Sequence, residues 1–111
     1  MSTPSEKRVE RDPARMQRHA GEAARLLRAL ANEKRLQILC LLVEGERSVG
    51  ELNALLDLSQ SALSQHLAVF REDGIVSTRR EAQTIYYGLP GGPARELIGT
   101  LHQLYCSGDP K

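Results

Sequence analysis

The chain holds two cysteines in 111 residues, Cys40 and Cys106. A thiolate is a nucleophile and a soft-metal ligand, so these positions come first in any search for chemistry. Cys40 lies within the apolar run Leu36 to Val43 and shares a helical face with both ends of it. By itself that setting describes a small buried hydrophobe. Cys106 closes an apolar helical pattern, where access is better. A different chemistry is offered by Ser59-Gln-Ser-Ala-Leu-Ser-Gln-His-Leu67, because no carboxylate occurs from Leu58 through Arg71. An ordinary solvated helix carries Glu and Lys. A groove lined with phosphates repels carboxylates, Gln reads adenine edges, and Ser contacts bases or phosphates.

At helical periodicity Leu63, Leu67 and Phe70 fall on one side and must face a core. Ser61, Ser64, Gln65 and Ala68 fall opposite, with Gln60 and Arg71 on a flank. His66 stands at the boundary, suited to a hydrogen bond at the core edge or to a base contact. Arg71 is placed either to reach a phosphate or to pair with Glu72 or Asp73. Further along, Arg79, Arg80, Gln83 and Thr84 surround a hairpin turn, where basic residues enter a minor groove or clamp a backbone. Adjacent strand residues point to opposite faces, so one arginine at most is well placed for this. Edge-strand protection by charge is the alternative use for such residues.

Positioning these groups requires a set of short elements. From Pro13, Met16, Ala20, Ala23, Leu27 and Leu30 form the seam of an amphipathic helix, with Arg15, Arg18, Glu22, Arg25 and Arg28 on its other faces. Asn32 caps a second, nearly all-apolar helix that Gly45 stops. Ser48 and Glu51 form a capping box opening a third helix, with Val49, Leu52, Leu55 and Leu56 on one face. After Asp57 and Leu58, Ser59 caps a fourth helix ending at Gly74. Two short helices so joined make a helix-turn-helix. Ile75 to Arg80 and Thr84 to Leu89 predict a hairpin closed by Glu81, Ala82 and Gln83. Pro93 starts a last helix through Leu97, Ile98, Leu101, Leu104 and Tyr105 to Cys106. The expected fold is mainly α with a β-hairpin wing, in the order α-α-α-α-β-β-α. Residues 1–12 read as a flexible tail and 13–108 as one DNA-binding and dimerisation domain. A single helix is too little for selective binding, so a homodimer through the first and last helices is expected, with its two reading helices about 34 Å apart.

Composition narrows the function classes. Fifteen Lys and Arg against fourteen Asp and Glu give a net charge of +1, so any nucleic-acid signal must be local. Apolar residues at 41 % support a modest core. No apolar run approaches the roughly 18 residues of a membrane span, and the polar first residues predict no signal segment, which implies the cytoplasm. There free thiols are the default. No Cys-x-x-Cys motif, cofactor loop or carboxylate pair argues for an enzyme or a cofactor.

Leu30-Ala-Asn-Glu-Lys-Arg-Leu-Gln-Ile-Leu39, the Ser59 to Leu67 run and Arg71-Glu-Asp-Gly-Ile-Val76 together resemble the ArsR/SmtB repressor family, over about Ala24 to Cys106. The resemblance implies a winged helix dimerised through its first and last helices, whose grip on operator DNA an inducer loosens. It does not extend to the metal-sensing members. Ser48 and Gly50 stand where their third-helix cysteines belong, and the last helix offers only Glu96 and His102 where a zinc site wants four ligands. Cys40, Cys106 and the Glu81-Ala-Gln-Thr-Ile-Tyr-Tyr87 wing resemble instead the dithiol branch, which includes BigR- and SqrR-like sulfide-responsive repressors and HlyU-like regulators. That likeness implies that Cys106 and Cys40 react with a persulfide, polysulfide or oxidant and become joined by a disulfide or a chain of sulfur atoms, and the better access of Cys106 at the helix end makes it the expected first nucleophile. Many family members carry Gly where Ala82 stands, which makes this position a test of whether the turn needs a positive φ. The same DNA-binding surface would also serve a derepressor that displaces another DNA-coating protein.

Overall fold

A computed structural model of the chain describes residues 13–106. The tail expected at 1–12 lies outside the described residues, as do 107–111. The described residues fall into two compact units, one ending at Ala31 and the other beginning at Asn32.

In the first unit, helix α1 (Pro13–Leu30) carries the expected seam. Met16 and Leu27 on that seam are 62 % and 55 % exposed, whereas Leu30 is buried. Two large apolar residues are thus left open to solvent on one face.

The second unit begins with α2 (Glu33–Glu44), and the Asn32 side chain accepts from the amides of Lys34 and Arg35. These are donors that the first helical turn would otherwise leave unpaired. Gly45, at φ 155°, ends the helix. The Ser48–Glu51 capping box forms in both directions, Glu51 N–H to Ser48 Oγ at 3.1 Å and Ser48 N–H to Glu51 Oε1 at 2.8 Å, opening α3 (Val49–Leu55). Ser59 Oγ accepts from Ala62 N–H and opens α4 (Gln60–Glu72). At the far end Gly74 has φ 72°. Its amide bonds to Arg71 O and that of Ile75 to Phe70 O, a Schellman closure with buried Ile75 and Phe70 as its apolar pair.

One face prediction needs correction. Leu52 is fully buried, but Leu55 is 56 % exposed. Seven residues bring α3 to an end at Leu55, roughly 100° around the helix from Leu56. The intended apolar face therefore stops at Leu52 and Leu56.

The predicted hairpin is part of a three-stranded antiparallel sheet ordered β1-β3-β2, where β1 is Arg47–Ser48, β2 Ser77–Glu81 and β3 Thr84–Gly88. Strand β1 was not expected. It is two residues long, and Ser48 serves both as its end and as the α3 cap, so it has no periodicity to detect. It pairs Arg47 with Tyr87 and Ser48 with Tyr86. The wing turn is also tighter than expected. Glu81 belongs to β2 opposite Thr84, which leaves Ala82 and Gln83 as a two-residue loop. Ala82 closes it with φ 56°, so the turn does need a left-handed residue. Ile75 and Val76, expected in the strand, instead fill the core.

Helix α5 (Pro93–Tyr105) begins with Pro at its first turn and contributes Ile98 to the core. That core joins Ile98 to Ile38, Leu39 and Leu42 of α2, Leu52, the triad Leu63, Leu67 and Phe70, and Tyr87 and Leu89 from the wing. Each such side chain contributes about 1.5–3 kcal/mol on leaving water. Leu104 and Tyr105, by contrast, are 67 % and 80 % exposed. Among the described residues no helix is long and apolar enough to cross a membrane.

Candidate functional site

Two sites emerge from the second unit, a polar surface on α4 with the wing and a thiol pair between α2 and α5. On α4, Leu63, Leu67 and Phe70 are each essentially inaccessible to solvent. Anchoring of this kind turns Gln60, Ser61, Ser64, Gln65, Ala68 and Arg71 outward, and all are exposed. Asn53 Nδ2 donates to Leu58 O at 2.8 Å and so braces the tight connection that sets the angle of α4. The Arg71 side chain makes no hydrogen bond or ion pair among the described residues, neither with Glu72 nor with Asp73. Of its two uses, the pairing one is not realised here.

His66 is half-buried and accepts at Nδ1 from Arg35 Nε, 3.3 Å away on α2. Burial, then the neighbouring Arg35 charge, hold the imidazole below its ordinary range. It is therefore neutral at pH 7, with its proton on Nε2 when Nδ1 accepts. The same guanidinium lies 5.8 Å over the Phe70 ring. His66 thus makes the hydrogen bond expected of it at the core edge, to Arg35, a partner that sequence reasoning missed. No local signal could have found a partner 31 residues away.

In the wing Arg79 and Arg80 face opposite ways. Arg79 donates from Nε to Glu46 Oε1 at 2.9 Å and from Nη1 to Glu81 Oε1 at 3.0 Å, and it lies 4.8 Å over the Tyr86 ring. Arg80 is exposed, and its side chain makes no hydrogen bond or ion pair among the described residues. Gln83 and Thr84 stand exposed at the tip.

The thiols are brought together although 65 residues of sequence lie between positions 40 and 106. Both are free, Cys40 half-buried and Cys106 exposed. Burial, then the neighbouring Cys106 sulfur, push the Cys40 thiol up to about 11, with Glu44 adding to the effect. Cys40 is consequently held as a thiol at neutral pH. Two further contacts run along the same seam. His102 Nε2 meets Glu44 Oε2 at 3.0 Å, and Arg95 donates to Val43 O at 3.4 Å and also to Leu89 O. Glu44 in turn pairs with Arg47 at 3.1 Å. No cluster of three or more His, Cys, Asp or Glu that could hold a metal ion occurs among the described residues.

Comparison with known proteins agrees with this geometry. The family described as "Bacterial regulatory protein, arsR family" matches residues 32–78, which span α2 through the start of the wing. "Transcriptional activator HlyU" of Vibrio cholerae is 56 % identical over 91 residues, covering 82 % of this chain and 84 % of that protein. The structure "Reduced HlyU from Vibrio cholerae N16961" superposes with a TM-score of 0.78 at 55 % identity, over 84 % of this chain and 98 % of that one. The transcriptional repressor BigR from Xylella fastidiosa gives a TM-score of 0.79 at 42 % identity, over 88 % and 97 % of the two chains. A helix with no carboxylate before Glu72, held with its polar face outward beside a hairpin wing in a fold shared with these regulators, makes this chain a DNA-binding transcriptional regulator that belongs to the ArsR family.

Proposed function

We propose that this regulator is a homodimeric repressor whose operator affinity is switched by linking Cys40 to Cys106. The observation that carries the reading is the proximity of the two thiols, close enough for Cys106 to raise the Cys40 thiol, at the seam between α2 in the core and α5 with its exposed Leu104 and Tyr105. Gln60, Ser61, Ser64, Gln65 and Arg71 on α4, with Arg80, Gln83 and Thr84 on the wing, form the DNA-facing surface. The apolar residues left open on α1 and α5 are the material of the dimer interface.

The inducer is a persulfide or polysulfide. Cys106 thiolate attacks the outer sulfur of an organic persulfide RSSH, becoming Cys106–S–SH as RS⁻ leaves. Cys40 then gives up its proton and attacks the Cys106 sulfur, forming the disulfide and releasing HS⁻. The dithiol loses two electrons, and one persulfide ends as RSH and H₂S. Further persulfide equivalents lengthen the bridge. Covalent closure between α2 and α5 moves the dimer helix, and a change of a few ångströms in half-site spacing costs contacts in both grooves. Support also comes from the solved relative described as reduced HlyU.

The test treats the protein with an organic persulfide and measures affinity, at fixed salt, for an operator fragment obtained by in vitro selection. Wild type loses affinity and Cys40→Ser does not. If Cys40→Ser responds like wild type, the dithiol mechanism is wrong. Mass spectrometry of the treated protein reports the number of sulfurs in the bridge. A second reading, favoured by the relative named as an activator, makes the protein a derepressor that displaces another DNA-coating protein. Promoter assays with and without a competing coat protein separate the two.

A further inference from the structure

We propose that the two wing arginines divide the work: Arg79 is a positioning residue that pins the hairpin to Glu46, and Arg80 is the cation that meets the DNA backbone. The proposal rests on the reading of the hairpin as a DNA-contacting wing.

Strand β2 is the outermost strand, and all five of its residues are exposed. No side chain of it is buried, so beyond its ladder with β3 little holds it. Arg79 supplies the missing restraint. It spans 33 residues of sequence to reach Glu46, in the loop just before β1, and so ties the outer strand to the far edge of the sheet. The link passes over β3 at Gly88. A Cβ there would stand 3.3 Å from Glu46 Cγ and 3.4 Å from Ser77 Oγ. Glycine thus leaves the passage that the Glu46 side chain occupies. Glu81 and the Tyr86 ring take up the rest of the Arg79 guanidinium. A guanidinium whose charge two carboxylates already neutralise, with Nε and Nη1 committed to them, is a poorer phosphate ligand than an unpaired one. Arg80 has the reverse setting. Alternation along the strand sends it to the opposite face, and its side chain makes no hydrogen bond or ion pair among the described residues.

The experiment measures binding of purified full-length protein to a mixed-sequence duplex of about 30 base pairs, three helical turns, across a KCl titration. Backbone contact is sequence-independent, so no operator is needed. The proteins are wild type, Arg79→Gln, Arg80→Gln, Glu46→Gln and the Arg79→Gln/Arg80→Gln double variant, each checked for an unchanged far-UV spectrum. Arg80→Gln is expected to weaken binding roughly three- to tenfold and to reduce the slope of log K against log[KCl] by about 0.9 per wing bound. Glu46→Gln is expected to weaken binding although it removes a negative charge. The double variant is expected to match Arg80→Gln alone in affinity and slope, because Arg79 acts through the other arginine.

Tighter binding by Glu46→Gln would overturn the assignment, since it would mean that a freed Arg79 reaches the DNA. So would a double variant whose slope falls by about 1.8 per wing, the sign of two independent contacts. Either result leaves the wing itself intact as a DNA contact. If neither arginine change alters binding, the wing reading fails and the division of labour fails with it.

Discussion

The imidazole Nε2 of His102 lies 3.0 Å from Glu44 Oε2, joining α5 to α2. One turn further along α5, the Cys106 amide donates to the His102 carbonyl at 2.7 Å. One turn back along α2 stands Cys40. Any change of spacing between the two sulfurs is therefore felt about 6 Å away, four residues along either helix, at a polar contact shared by the same two helices.

Acid should report on this contact. The hydrogen bond from His102, before the weaker help of Arg47, holds the Glu44 carboxyl below its ordinary range. A carboxylate depressed in the folded state stabilises above its unfolded value, and that contribution is lost as pH falls through the folded one. Thermal melting of wild type and Glu44→Gln should differ at neutral pH, and the gap should close through the acid side of the carboxylate range. A gap that persists unchanged at low pH would show that the ionised carboxylate is not what stabilises.

The thiols should alkylate in sequence. With Cys40 pushed up to about 11 by burial and by its neighbour, and Cys106 exposed, iodoacetamide at pH 7.5, roughly one unit below an ordinary thiol, should label Cys106 first. Peptide mass spectrometry against time checks this. Cys40 labelling should stay slow in Cys106→Ser as well, because burial is the larger cause and survives the substitution.

Two serines two residues apart should behave differently. Ser59 Oγ accepts the Ala62 amide at 3.1 Å, so Ser59→Ala should cost about 1 kcal/mol of stability. Ser61 is exposed on the α4 outer face, and Ser61→Ala should leave the melting temperature within error while weakening DNA binding. Denaturant melts and a binding titration on the same preparations separate cap from contact.

The wing turn carries strain that one substitution relieves. Ala82 holds φ 56°, which costs an L-residue roughly 1–2 kcal/mol. Glycine removes that cost and adds back about 0.4–1 kcal/mol of unfolded-state entropy. Ala82→Gly should therefore raise stability by roughly 0.5–1 kcal/mol, seen as a higher midpoint in urea. A lower midpoint would mean that the Ala82 methyl makes a favourable contact that outweighs its dihedral.

Much of this molecule was legible before any coordinates. Asn32, Ser48 with Glu51, Ser59, Gly74 and Pro93 mark helix ends through hydrogen bonds or dihedrals that span only a few residues. The outward stripe of α4 followed from the spacing of Leu63, Leu67 and Phe70. Misses occurred where an element was too short to have a period, as in β1, or where a helix ended beneath its own pattern, as at Leu55.

What the tertiary structure alone decided is the choice of partners. Arg35 with His66, Glu46 with Arg79 and Glu44 with His102 are separated by 31, 33 and 58 residues. Caps and periodicity act within one or two turns, so the chain announces them locally. Which of many similar arginines meets which of many similar carboxylates depends on how packed helices and a twisted sheet bring distant segments together, and no short stretch of sequence contains that information.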